Sequence, residues 1–197
     1  MADYHVDFRT IKSIMKLFLD QPEIINKLRY INSKKIGDWE KWLQLELEYF
    51  IQELDGIEVE RELHSSLDKR MDKLKNNAFV DLIFRKNKTI RNSYFFVELK
   101  CKPNPMSLLD AMEEDWEKVR KIKSNAKNYN MRTCWFIGFY QDTTRYNAAE
   151  IKSHSKLWFK RHNEIINLCQ CELKEGVDLL CEHSKIGMLI LGHPVRD

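Results

Sequence analysis

Three ionisable residues in two β-rich segments have the types and spacing of a hydrolytic metal site. Asp81 lies within the apolar run 79–84, and Glu98 and Lys100 lie at the end of the run 93–101. Side chains two positions apart in a strand project from the same face, so Glu98 and Lys100 point the same way. Two carboxylates and an ammonium group at one point are what metal-assisted hydrolysis of a phosphodiester requires.

The context of these residues separates them from chance matches. A carboxylate in an apolar run is costly unless it is paired or bound to a metal, so the structural alternative for Asp81 is a buried ion pair with Lys100. The spacing Glu-x-Lys occurs three times, at Glu98/Lys100, Glu150/Lys152 and Glu172/Lys174. Glu150 begins a predicted helix, where residues two apart diverge, and Glu172 follows no β-rich run. Only Glu98 has the strand context.

Composition sets the class of protein. With 197 residues, 43% of them apolar, the chain is expected to form one domain with a substantial core. The balance of 33 basic and 30 acidic residues, a net charge of +3, is too even to indicate nucleic acid by itself. Five cysteines without a CxxC pair argue against a disulfide framework or zinc ribbon. Without a signal-like N-terminus or a membrane-length apolar run, we expect a cytoplasmic protein with no membrane contact.

Hydrophobic periodicity predicts the elements that position the three residues. The chain is expected to be a single domain, with an N-terminal helical extension (1–36), a core (38–140) and a C-terminal helix and strand (141–197). The apolar faces of the N-terminal helices suggest a possible homodimer. In chain order, the predicted elements after the extension are a helix at 39–54, strands at 57–63, 79–84 and 93–101, a helix at 107–122, a strand at 134–140, a helix at 148–168 and a strand at 186–191.

The helix predicted at 39–54 supplies a further acidic residue. Glu46 falls on its apolar stripe, one turn from Trp42 and Phe50, whereas Glu48 falls on the polar face. We therefore expect a third inward carboxylate from an element separate from the two strands.

In this order of elements, Glu46, Asp81 and the run Glu98-Leu99-Lys100 resemble the PD-(D/E)xK nuclease superfamily. The resemblance covers roughly residues 38–140, and the motif is degenerate: valine stands at position 80, where its name has proline. It implies an α/β restriction endonuclease-like core, with a mixed central sheet (a three-stranded meander plus further strands) flanked by helices. The implied function is a Mg²⁺-dependent DNA endonuclease of the restriction or defence type.

Two other functions remain open. One is a catalytically inactive nuclease-like domain that binds nucleic acid or a partner protein. The other is a structural α/β interaction domain whose strand charges pair internally.

The resemblance also implies roles for individual residues. Asp81, Glu98 and the backbone carbonyl of Leu99 would be ligands of Mg²⁺, with Mn²⁺ as a substitute, because both cations prefer oxygen. Lys100 would orient the attacking water and offset developing charge. Glu46 would act through a water or a second metal ion.

Basic residues flank the two strands and would contact a DNA phosphate backbone. The alternative is an ordinary solvated loop, which is what charge runs usually form. On the helix predicted at 107–122, Asp115 shares the inward face and is a candidate support for the lysine. The predicted DNA contacts are Arg85, Lys86, Lys88, Arg91 and Lys102.

Overall fold

The computed structural model describes residues 4–67, 77–87, 92–125, 127–141, 146–158, 163–167 and 186–194. Its helices are α1 (Tyr4–Leu19), α2 (Pro22–Ser33), α3 (Glu40–Gln52), α4 (Pro105–Val119) and α5 (Ala148–Trp158). Its strands are β1 (Ile57–Leu67), β2 (Asn77–Lys86), β3 (Ser93–Lys102), β4 (Ile122–Asn125), β5 (Asn130–Tyr140), β6 (Asn163–Asn167) and β7 (Gly187–Pro194).

The strands form one mixed sheet in the order β4-β1-β2-β3-β5-β7-β6. Strands β1, β2 and β3 make an antiparallel meander, and β5 pairs parallel to β3. A parallel neighbour needs a crossover connection, and the segment that contains α4 provides it. The predicted α/β class, with a mixed sheet that includes a three-stranded meander and is flanked by helices, is confirmed.

Helices cover both faces of the sheet. Alternate residues of β3 supply the two cores: Phe95, Val97 and Leu99 pack with α1, α2 and α3, while Tyr94 and Phe96 pack with α4. Period-two geometry requires this division in a strand that is buried on both sides. The helices assigned to an N-terminal extension therefore bury their apolar stripes against the sheet of their own chain. The predicted homodimer was based on those stripes, which pack into the core of the same chain and are not exposed for a second copy.

The C-terminal part differs from the prediction. The helix expected at 148–168 ends at Trp158, and residues 163–167 form strand β6 on the edge of β7. Strand β4 (122–125) pairs with β1. It begins at residue 122, the last residue of the helix predicted at 107–122. Short edge strands are specified mainly by a partner distant in sequence, so local periodicity carries little information about them.

Helix α2 ends in a Schellman motif with an unusual residue in it. The Ile36 N–H bonds the Ile31 carbonyl at 3.0 Å, and the Lys35 N–H bonds the Asn32 carbonyl at 3.1 Å. Lys35 has a left-handed backbone (φ 51°), which usually selects glycine because a Cβ is disfavoured there. The helix therefore ends with local strain at Lys35.

Replacing Lys35 by Gly should raise the free energy of unfolding by about 0.5–1 kcal/mol, because the strain is removed. Denaturant titration measures the change. The matched control is Lys34→Gly, since Lys34 has right-handed helical angles (φ −93°) and gains nothing from glycine. A destabilised Lys35→Gly protein would contradict the assignment of strain.

Candidate active site

Strands β2 and β3 separate halfway along their length. Their pairing runs from Phe84/Phe95 to Leu82/Val97 and stops there. Strand β2 stays paired with β1 as far as Asn77, and β3 stays paired with β5 as far as Lys102. We call the opening between residues 77–81 of β2 and residues 98–102 of β3 the fork. Asp81 and Glu98 are the first residues on its two sides.

Two carboxylates bind the edge of β3 that faces the fork. The Leu99 N–H donates to Asp81 Oδ2 at 2.8 Å, and the Cys101 N–H donates to Glu40 Oε2 at 3.2 Å. Buried backbone donors need partners, and these side chains supply them where β2 has diverged. The N–H and C=O of one strand residue point to the same edge, so the Leu99 carbonyl also faces the fork.

Two lysines link the acidic groups. Lys100 Nζ lies 3.6 Å from Glu40 Oε1 and 3.0 Å from Asp115 Oδ2. The contact with Asp115 is an ion pair whose angles do not meet those of a hydrogen bond. Lys118 Nζ lies 3.0 Å from Glu98 Oε2 and 3.2 Å from Asp115 Oδ1. Asp81 has no ion-pair partner among the residues the structure describes, so the structural alternative for Asp81, a buried ion pair with Lys100, is not observed there. The carboxylate–lysine cluster comprises Glu40, Asp81, Glu98, Lys100, Asp115 and Lys118.

The cluster has more carboxylates than ammonium groups, and burial makes the ionised carboxylates costly. The Glu98 side chain is 1% exposed, and burial followed by the nearby Asp81 carboxylate raises its pKa well above the ordinary value. Burial also raises the pKa of Asp81, although the Leu99 N–H partly opposes it. Burial alone would lower the pKa of Lys100, but Asp115 and Glu40 outweigh it and raise that pKa. With all six groups ionised, four carboxylates and two ammonium groups carry a net charge of −2.

The cluster fits a small divalent cation. Glu98 Oε1 is buried and has no hydrogen-bond partner within the described ranges, a costly arrangement that an added cation would relieve. No three His, Cys, Asp or Glu side chains in those ranges form a metal-holding group by themselves. Mg²⁺ is commonly held by one or two carboxylates together with waters and substrate phosphate. Asp81, Glu98 and the Leu99 carbonyl could form such a set, because all three belong to the fork.

Glu46 does not join the cluster, contrary to the sequence-based expectation. Its Oε1 accepts a hydrogen bond from Trp42 Nε1 at 3.0 Å and pairs with Lys27 of α2. Glu40 provides the α3 carboxylate instead. Six residues of helix separate the two acids by about 9 Å along the axis and about 120° around it, so they cannot serve one site.

Arg85 and Lys86 lie at the end of β2 opposite the fork. Lys86 is five residues from Asp81, or about 17 Å along the strand. Arg85 makes two hydrogen bonds to Glu58, at 2.9 and 2.7 Å, which neutralise its charge. Lys86 Nζ donates to Thr10 Oγ1 at 3.2 Å. These positions and contacts correct the expectation for Arg85 and Lys86, which lie away from the carboxylates.

Of the remaining predicted DNA contacts, one lies in the fork and two lie outside the described residues. Lys88 and Arg91 lie outside the described residues. Lys102 is half-buried on the fork side of β3 and forms no ion pair with any described residue. Of the predicted contacts that the structure describes, Lys102 is therefore the one that lies in the fork segment of β3.

Sequence reasoning missed two members of the cluster. For Lys118, a usable signal was its spacing of three from the inward-facing Asp115. Glu40 directly follows the buried Trp39 in the first turn of α3, where nothing in the sequence distinguishes it from other acidic residues. The expected support of the lysine by Asp115 is present in the structure.

Comparisons of the chain with protein-family models, with curated proteins and with solved structures found no match. Within the described residues, no helix is both long and apolar enough to cross a membrane. The fold class and the cluster's chemistry therefore carry the functional argument.

Proposed function

We propose that this chain is a Mg²⁺-dependent DNA endonuclease of the restriction or defence type, with the restriction endonuclease-like fold of the PD-(D/E)xK superfamily. The observation that carries the proposal is the fork, where Asp81 binds the N–H of Leu99, the residue between Glu98 and Lys100, and where Glu98 Oε1 has no hydrogen-bond partner among the described residues. Apart from the short edge strand β4 between α4 and β5, the order α3, β1–β3, α4, β5 is the order expected for the core of that superfamily. The substrate class comes from this resemblance.

Each residue has a separate task in the proposed site. Asp81, Glu98 and the Leu99 carbonyl would hold the cation, and the chemistry it would supply there is polarisation of a phosphate and a lowered pKa of a water molecule. Lys100 orients that water and offsets charge that develops on the phosphate. Glu40 and Asp115 keep Lys100 in place, and Glu40 also fixes β3 through the Cys101 N–H.

The test is cleavage by the purified protein. Supercoiled, linear and single-stranded DNA are each incubated with Mg²⁺, with Mn²⁺ and with EDTA, and cleavage should require a divalent cation. Asp81→Ala and Lys100→Ala should be inactive. The proposal fails if no DNA form is cut, or if both variants cut as well as the unmodified protein does.

One observation favours a second candidate, a nuclease-like domain that does not cleave. Both lysines of the cluster already pair with its carboxylates, as in a network that only stabilises the fold. Salt-dependent DNA retention without turnover would support a binding role. Absence of any stabilisation by Mn²⁺ would support a purely structural role.

Glu40 and Glu46 form a matched pair for testing the site. Glu40→Gln should lower cleavage by about 10- to 100-fold, because this carboxylate holds Lys100, and supporting groups of metal sites have effects of that size. Glu46→Gln should stay within about threefold, because the polar partners of Glu46 among the described residues are Trp42 of α3 and Lys27 of α2. Initial cleavage rates at saturating Mg²⁺ measure both. Equal losses in the two variants would contradict the assignment.

A further inference from the structure

Lys118 is held by oxygen atoms from three elements. Its Nζ lies 3.0 Å from Glu98 Oε2 in β3, 3.2 Å from Asp115 Oδ1 in α4 and 3.5 Å from the Phe79 carbonyl in β2. A lysine in the last turn of a helix is also favourable near that helix's own terminal carbonyls. The inward position of this ammonium group is therefore set by the fork and not by the helix alone.

The contact engages only one oxygen of Glu98. Oε2 accepts the Lys118 hydrogen bond, whereas Oε1 is buried and unpartnered in the described part of the chain. Because the Glu98 side chain is 1% exposed, solvent water does not reach Oε2 to donate the hydrogen bond that Lys118 donates. Anchoring one carboxylate oxygen fixes the direction of the other, as partners of metal-binding carboxylates do.

We propose that Lys118 is a positioning residue that anchors Glu98 Oε2 and thereby presents Oε1 to a divalent cation. This inference rests on the proposed function. Lys118 acts through Glu98 and does not touch the substrate. Because Oε1 is the oxygen without a hydrogen-bond partner among the described residues, a cation held there would leave the ammonium group in place.

The test is Mn²⁺ binding at pH 7, measured by calorimetry and by the electron paramagnetic resonance signal of free Mn²⁺, with no DNA present. Lys118→Met should weaken Mn²⁺ binding by about 10- to 100-fold. Lys118→Arg, which keeps the charge and the donor, should bind within a few-fold of the unmodified protein. Arg120→Met is the control, because it removes a charge from the same helix end where Arg120 pairs only with Glu117 among described residues.

The outcomes separate this inference from the proposed function. If the unmodified protein binds Mn²⁺ and Lys118→Met binds it equally well or more tightly, the positioning role is overturned and the proposed function stands. If the unmodified protein binds no Mn²⁺, both are overturned. If Lys118→Met does not fold, Lys118→Gln replaces it, and weaker binding by Lys118→Gln than by Lys118→Arg supports the role.

Discussion

Replacing Glu98 by Gln is expected to lower Mg²⁺-dependent DNA cleavage by about 100-fold or more. The substitution keeps the shape of the side chain but removes a charged ligand oxygen, and even supporting groups of metal sites have effects of about 10- to 100-fold. Cleavage rates over a range of Mg²⁺ concentrations measure the loss. The control is Glu117→Gln on α4, an exposed acid paired with Arg120, which should cut normally.

The same substitution should make the metal-free protein more stable. Glu98 is fully buried, its pKa is raised by burial and by Asp81, and a neutral amide avoids that cost. A gain of about 1 kcal/mol corresponds to about 2–4 °C in Tm for a chain of this size. Thermal unfolding in EDTA at pH 8 measures it. A variant that cuts at the normal rate would contradict the ligand role, and one that is destabilised would contradict the electrostatic argument.

The second large expected effect is a dependence of metal stabilisation on pH. The pKa values of Glu40, Asp81 and Glu98 are raised in the folded protein, chiefly by burial. The folded state then binds more protons than the unfolded state, so the stability of the metal-free protein should fall as pH rises above about 4 through the raised pKa values. The pKa values of Lys100 and Lys118 are also raised, and their contribution is lost only at alkaline pH.

A bound cation should reverse this trend, because it requires the carboxylates in their ionised form. The difference in Tm between Mn²⁺-loaded and metal-free protein should therefore widen from pH 5 to pH 8. At a Mn²⁺ concentration about 100 times its Kd, stabilisation should reach about 2.7 kcal/mol. In Glu98→Gln the difference should be small at every pH. A difference independent of pH in the unmodified protein would show that the cation binds elsewhere.

Local patterns were sufficient for much of the fold. The meander β1–β3 and helix α3 follow from alternation and from helical periodicity, which depend on neighbours in sequence. The shared face of Glu98 and Lys100 follows from strand geometry alone. Strands β4 and β6 were not predicted, because each is short and has its partner in a distant segment.

The position of the lysines and of the α3 acid required the tertiary structure. Periodicity placed Glu46 on an inward stripe, but the neighbours of that stripe include α2, whose Lys27 pairs with Glu46. Arg85 is a free cation in the sequence, yet its neutralising partner Glu58 is 27 residues away, on the adjacent strand. No local pattern records such pairings.

The sequence by itself determined the chemistry available at Asp81, Glu98 and Lys100, because residue type and a spacing of two on a strand are local properties. Only the tertiary structure determined that β2 and β3 separate beside these residues and that Glu40 and Lys118 complete the cluster. The physical reason is that buried charges and unpaired strand edges must be compensated by whichever groups the fold brings near, and these come from α3 and α4.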